Sequence, residues 1–293
     1  MSCYRIATLL PSATELVSDL GMVDSIVCVS HECDWPEEIY GLPKATSCNI
    51  PDFGDQKLID QFVKNSVKNG RPIYDVNVDM LRNLNVSHIV TQGVCDVCAV
   101  SPDLIEASLR GNQCLISSQT KIISLCGTSI NGIFKDIISL SELFNRKESM
   151  RLILKNAKRK LESLTIPSFK DMTVLMLEWI DPPYIGGHWV PEQIEAAGFK
   201  CAMGQAGEKS KMVSWDEIIK INPDFIGVIA CGADLKKNQE YVEILYKMSI
   251  LEDLKAVKMN NIFAFDANKF FSRPTLRVID GIEILQKKFL DKN

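Results

Sequence analysis

Sixteen residues, Leu177 to Glu192 (LEWIDPPYIGGHWVPE), concentrate chemistry that the rest of the chain spreads thinly. The 293 residues contain three His and four Trp, yet this stretch holds Trp179, Tyr184, His188, Trp189 and the acids Glu178, Asp181 and Glu192, broken by Pro182-Pro183 and Gly186-Gly187. His31-Glu32-Cys33-Asp34-Trp35 repeats the mixture of imidazole, thiol, acid and indole, and Cys95-Asp96-Val97-Cys98 adds a lone CxxC. Aromatic faces with a few placed polar groups suit a large planar ligand, whereas thiolate and imidazole suit zinc and similar transition metals. The same residues have plainer uses. Two Trp can cap a core, a single His is more often a hydrogen-bonded structural residue, and Pro and Gly pairs make turns.

A zinc site takes four ligands, and no second CxxC exists. A direct metal site would therefore draw on Cys33, Cys95, Cys98 and His31 or His188. A thioredoxin-like role fits less well, because Pro102 marks a helix start and leaves both CxxC thiols in the loop before it. Neither GxGxxG, nor GxxxxGK[ST], nor a GxSxG elbow is present. A catalytic reading stays open but subordinate, with no residue assigned to catalysis.

Positioning these residues requires strands that feed loops into helices. Short β-branched runs alternate with helical patterns, which predicts an α/β fold with largely parallel sheets. Strands are expected at Tyr4–Leu10, Ile26–Ser30, His88–Gln92, Lys121–Leu125, Thr173–Glu178, Phe225–Ala230 and Ile262–Phe265. Ser12-Ala13-Thr14-Glu15 reads as a capping box, with Gly21 ending that helix. Met150, Ile153, Leu154, Ala157, Leu161 and Leu164 recur at helical spacing, so residues 146–165 form a connecting helix about 28 Å long at roughly 1.5 Å per residue. Its Lys and Arg read as a solvated face. The domains are then 1–145, 146–165 and 166–293. Residues 173–198 echo residues 6–21 as strand, loop, helix and terminal Gly, with Pro191 in the first helical turn. Residues 47–79 read as polar, irregular surface structure.

Ligands of open α/β sheets bind outside the carboxyl ends of the strands. That rule collects Ser12 and Glu15, then His31 to Trp35, then Gln92 to Cys98, and in the other half Glu178 to Trp189. If two lobes face each other across the helix, all of these loops line one cleft.

Composition narrows the partners. Apolar residues make up 46% and charged residues 24%, and a net charge of −4 with pI near 5.6 gives no basic footprint for nucleic acid or an anionic membrane. The first residues lack the pattern of a secretory signal and no apolar run is long enough to span a bilayer, so neither export nor membrane insertion is expected and the protein reads as cytosolic. The ten Cys then read as reduced thiols, with Cys3, Cys28, Cys126 and Cys231 filling core space.

The segments RIATLLPSATELVSDLG, VCVSHECDWP, LEWIDPPYIGGHWVPEQIEAAG, VSWDEIIKINPDFIGVIACG and IFAFDANKFFSRPTLRVIDGIEIL together resemble the helical-backbone (class III) periplasmic-binding-protein-like family, the substrate-binding proteins of cobalamin and iron-siderophore importers. The resemblance covers nearly the whole chain and is closest to leaderless cobalamin-binding members carrying HECDWP and CxVCAVS. It implies two Rossmann-like lobes joined by one long rigid helix, with the ligand in an interlobe cleft. Trp35, Trp179, Tyr184, Trp189 and Phe271 would supply apolar contact, and His31 or His188 would bond a side amide or approach the ligand's metal. Ser12, Glu15, Glu32, Gln92 and Glu178 complete the expected ligand-binding set. Asp79 and Asp216 match the acids with which exported members dock to an ABC permease; they are here shorter acids in a chain read as unexported, which argues against docking. The clustered Cys and His are a second departure. The expected function is a ligand-binding protein holding a cobalamin-like corrinoid or other metal-containing ligand, with direct binding of zinc or another transition metal as the alternative and a thiol-dependent enzyme as a third.

Overall fold

The computed structural model describes residues 4–93, 120–164 and 171–290. The chain divides into two compact units, Met1–Gly127 with Phe134–Ile153, and Thr128–Ile133 with Leu154–Asn293. Both are α/β.

In the first unit the strands are β1 (Ile6–Thr8), β2 (Ile26–Val29), β3 (Thr46–Cys48), β4 (Tyr74–Val76), β5 (His88–Gln92) and β6 (Lys121–Leu125). The main sheet runs β2-β1-β5-β6 and every pair in it is parallel. Ile6, Ala7, Thr8, Ile89, Val90 and Thr91 are all completely buried, as expected of strands covered on both faces. β3 and β4 pair separately as an antiparallel ribbon. The helices are α1 (Pro11–Asp19), α2 (Gln56–Lys68) and α3 (Val78–Asn83).

The ends of α1 differ in how well the sequence foretells them. At the carboxyl end Gly21 has φ +73°, its amide bonds the Ser18 carbonyl at 2.8 Å and the Met22 amide bonds the Val17 carbonyl at 3.2 Å. That pair of bonds is the left-handed cap Gly21 implies. At the amino end the expected capping box does not form. Pro11 starts the helix one residue before Ser12, Leu10 stands at the cap position without a side-chain bond, and Ser12 lies inside the helix. Proline suits a first helical position because its fixed φ fits there and it has no amide to leave unpaired.

Residues 47–79 are also more regular than expected, since they hold α2, β4, most of β3 and the start of α3. Asp55 caps α2 through the Leu58 amide at 2.9 Å. Leu58 and Val67 of α2 are exposed, which blurs the apolar period that would have disclosed the helix.

α4 (Ile130–Leu143) and α5 (Lys147–Ser163) follow, and the division between units falls within both. α5 buries Leu154 and Ala157 and exposes Arg151, Lys155, Lys158 and Arg159.

The second unit contains β7 (Thr173–Ile180), β8 (Pro183–Ile185), α6 (Val190–Ala196), β9 (Lys200–Cys201), β10 (Lys211–Met212), α7 (Trp215–Ile221), β11 (Phe225–Val228), α8 (Leu235–Lys247), α9 (Lys255–Lys258), β12 (Ile262–Ala264), α10 (Ala267–Phe270) and α11 (Val278–Leu290). Its mixed sheet runs β10-β8-β7-β11-β12, with β9 also on β7. β7, β9, β11 and β12 are parallel, whereas β8 and β10 are antiparallel additions. Leu175, Leu177, Ile226 and Val228 are fully buried at its centre. Phe225 and Phe289 stack with ring centres 4.7 Å apart, and Phe199, Phe263 and Phe265 close round them.

Asn238 of α8 ties the carboxyl ends of β11 and β12 together. It is completely buried, accepts from the Ala230 amide at 2.9 Å and donates to the Phe265 carbonyl at 2.8 Å. Asn238→Ala should lower unfolding free energy by roughly 2–4 kcal/mol in urea melts, because each orphaned buried backbone group costs about 1–3 kcal/mol. A loss below about 0.5 kcal/mol would show that water replaces the amide.

Candidate functional site

β1 in the first unit has β2 on one side and β5 on the other, so the connections diverge at the carboxyl end of β1. Such a divergence opens a crevice where ligands of open sheets bind. β1 delivers α1 there, β2 delivers His31 to Trp35, and β5 ends at Gln92, which is almost buried.

A short chain of hydroxyls sets His31. Its backbone amide donates to Thr46 Oγ1 at 3.0 Å and its Nδ1 lies 2.7 Å from the same oxygen. Thr46 Oγ1 gives its own hydrogen to Ser30 Oγ at 3.0 Å. A hydroxyl has one hydrogen, so Thr46 must accept from the ring, which puts the imidazole hydrogen on Nδ1 and leaves the lone pair on Nε2. Thr46 reaches this place because the segment before β3 runs beside β2, with the Ala45 amide on the Val29 carbonyl at 2.8 Å. Tyr74 of β4 closes on the imidazole with ring centres 5.8 Å apart.

Cys33 faces a different environment. Its thiol is buried 3.0 Å from Thr14 Oγ1, which in turn lies 2.7 Å from Thr8 Oγ1. Through that contact it packs onto α1. Among the described residues no three of His, Cys, Asp and Glu gather closely enough to hold a metal ion. Cys95 and Cys98 lie outside the described residues. Glu32 and Trp35 are exposed, with Trp35 at 47%, while Glu15 is buried in α1. Ser12 is 1% exposed and its Oγ has no hydrogen-bond partner.

In the second unit Glu178, near the end of β7, holds the following loop. One carboxylate oxygen accepts from Ser210 Oγ at 2.5 Å and the other from the Gly187 amide at 3.3 Å. Gly187 is required by close approach, since a Cβ there would meet the Ser210 nitrogen at 2.4 Å. Trp179 and Tyr184 are half-buried and face each other across the β7–β8 pair. His188 adopts φ +53°, a left-handed conformation that costs a non-glycine residue energy. Its amide bonds the Glu208 carbonyl at 2.6 Å, and its Nδ1 is buried without a partner. Burial, and secondarily the Lys209 charge, hold its pKa below the usual imidazole value.

Trp189 and Phe271 belong to the core. They are 4% and 1% exposed, and the Trp189 indole donates to the Phe271 carbonyl at 2.8 Å. Cys28 is buried as expected, with desolvation pushing its thiol up to about 12. Cys126 and Cys231 are exposed, contrary to expectation, because each follows a strand end where the chain leaves the core. Cys3 lies outside the described residues. Thr46 and Ser210, which set His31 and Glu178, escaped the sequence reading because no local spacing marks a hydroxyl that bonds across such separations.

No protein-family model and no curated protein matches the sequence. Solved structures do. A possible iron-binding periplasmic solute-binding protein from Staphylococcus epidermidis aligns at TM-score 0.72 and 20% identity, covering 98% of this chain and 99% of that one. The periplasmic heme-binding protein HutB of Vibrio cholerae aligns at 0.71 and 18%, with coverage of 98% and 99%. The periplasmic vitamin B12 binding protein BtuF of Vibrio cholerae aligns at 0.60 and 18%, with coverage of 98% and 97%. The chain has the fold of the class III periplasmic binding proteins.

This fold overturns the cytosolic expectation, because the solved structures that share it across almost their whole length are periplasmic proteins. An address is read from a leader by export machinery and is not part of the packed fold, so the composition of packed residues does not carry it. Among the described residues no helix is long and apolar enough to cross a membrane. Asp79 and Asp216, the acids expected at permease-docking positions, are both exposed in the first turn of a helix.

Two outcomes test this placement. Trp189→Ala should cost about 3–5 kcal/mol of stability, whereas Trp35→Ala should change it by under about 1 kcal/mol; both are read from urea melts. For His188, a folded pKa below the unfolded one means that its stabilising contribution is present above about pH 6.5 and is lost as pH falls through the folded value. His188→Asn, which tolerates the same φ, should therefore flatten the fall in melting temperature as pH drops below about 6.5. An unchanged slope would show that the ring titrates normally.

Proposed function

We propose that the protein is a solute-binding protein for a metal-containing macrocycle, a cobalamin-like corrinoid or a porphyrin. The observation that carries this reading is His31, whose ring is oriented by Thr46 so that Nε2 keeps the lone pair at the carboxyl end of the first unit's sheet. A bare zinc ion needs four protein ligands. A metal that arrives inside a macrocycle needs one. An imidazole whose other nitrogen is anchored by a hydrogen bond suits that task, because the anchor fixes both tautomer and ring direction. Trp35, about half exposed four residues later, offers an indole face for a flat ring. The fold adds support, since the HutB and BtuF proteins of Vibrio cholerae, which share it, are heme-binding and vitamin B12 binding proteins.

Titration of the protein with iron protoporphyrin and, separately, cyanocobalamin should produce a saturating change in the visible spectrum with at least one of them. His31→Ala should weaken that binding about 10–100-fold and shift the absorption bands; Thr46→Val should weaken it less and in the same direction. Silence with both macrocycles would reject the ligand class. Spectra and affinity unchanged in His31→Ala would reject the role of the imidazole.

A further inference from the structure

Among the described residues, the amides that open α1 have no hydrogen-bond acceptor. The first bond within the helix runs from the Thr14 amide to the Leu10 carbonyl at 3.2 Å, Pro11 has no amide hydrogen, and the amides of Ser12 and Ala13 precede any partner within the helix. Leu10 provides no side-chain cap and the first turn contains no acid. By contrast, Asp55, Asn77, Ser214, Asp234 and Asp266 cap α2, α3, α7, α8 and α10 through their side chains.

The second observation is independent of the helix end. Ser12 is 1% exposed and its Oγ has no partner of any kind. Side chains on a helix tilt towards its amino end, so this hydroxyl accompanies the two amides. An unpaired buried hydroxyl costs about 1–3 kcal/mol, and such a cost is sustained where a ligand completes the bond. Glu15, one turn further in, is buried with an interaction of its own. The place is also the divergence point between β1 and β5, whose continuation is marked by the Leu9 amide on the Val90 carbonyl at 2.9 Å.

We infer that the amino end of α1, with Ser12 Oγ, receives an anionic side arm of the macrocycle, a carboxylate; this rests on the ligand class proposed above. A carboxylate has two oxygens and only accepts, which matches two amides and a hydroxyl, and its charge is favoured by the positive end of the helix dipole. A neutral ester or amide arm offers a carbonyl oxygen without that charge and gains less. Within the proposed class the arrangement selects a ring with free carboxylates, such as a porphyrin, over one whose arms are amides.

The test compares iron protoporphyrin with its dimethyl ester on the full chain, with affinities read from the absorption spectrum and a melting temperature for each variant. The wild type should bind the acid at least about tenfold more tightly than the ester. Ser12→Ala should lower acid affinity about tenfold and leave ester affinity unchanged, as loss of one charge-assisted bond predicts. Ser12→Asp should raise the melting temperature by placing a carboxylate at the helix end, and should erase the preference. Equal binding of acid and ester by the wild type overturns the inference while leaving the ligand class intact, as does binding of cyanocobalamin to the exclusion of both porphyrins. A preference retained in a folded Ser12→Ala overturns it too. Binding of no macrocycle removes the ligand class and this inference with it.

Discussion

Parallel pairing of β1 with β5, and of β7 with β11, is the constraint on which the rest depends. Parallel neighbours cannot be joined by a tight turn, so the chain must cross back over the sheet before it pairs in parallel again, as the helix α1 does between β1 and β2. Every loop that enters such a helix then lies at the carboxyl end of the strands. This is why Ser12 and His31, nineteen positions apart, stand at adjacent strand ends, and why Glu178 lies near the end of β7 with its loop beyond. Burial on both faces fills the strands with apolar residues and leaves the polar chemistry to the loops.

Polar accounting separates framework from site. Asn238 and the Trp189 indole satisfy backbone groups in the interior, and their work is to hold elements together. The Ser30, Thr46 and His31 chain is also satisfied, but it spends its bonds on fixing one nitrogen and leaves the other to act. Ser12 Oγ and His188 Nδ1 are exceptions, both buried and both unpaired. His188 adds a left-handed backbone to that cost. Such local conflicts gather where a structure serves something other than its own stability.

The soft ligands tell a related story. In sequence, Cys33 and His31 look like two parts of one site because a single residue separates them. In the fold the thiol packs against Thr14 and the imidazole turns to Thr46. Residues two apart would share a face on a strand, but the chain turns here, with the Cys33 amide on the Ser30 carbonyl at 3.2 Å, so nearness along the chain is a poor guide to shared chemistry.

Much of the architecture was legible because its causes are local. Alternating β-branched runs and helical periods disclosed the α/β class, Gly21 and Gly198 marked helix ends with positive φ, and the spacing from Met150 to Leu164 disclosed α5. Pro191 likewise sits in the first turn of α6. The start of α1 misled, because Ser12 and Glu15 fit a capping box in isolation while Pro11 and the buried run from Leu9 to Val17 set the helix two residues earlier, with Leu10 at the cap. Trp189 and Phe271 were legible as aromatic residues with chemistry to offer, but only packing decided that both are buried inside the second unit, with the indole on the Phe271 carbonyl. Thr46 and Ser210 could not be found at all from spacing. Periodicity and turn chemistry act over a few residues and are written in the sequence; which hydroxyl meets which ring is settled by strands that meet only when the chain has folded, and that is where the candidate site was decided.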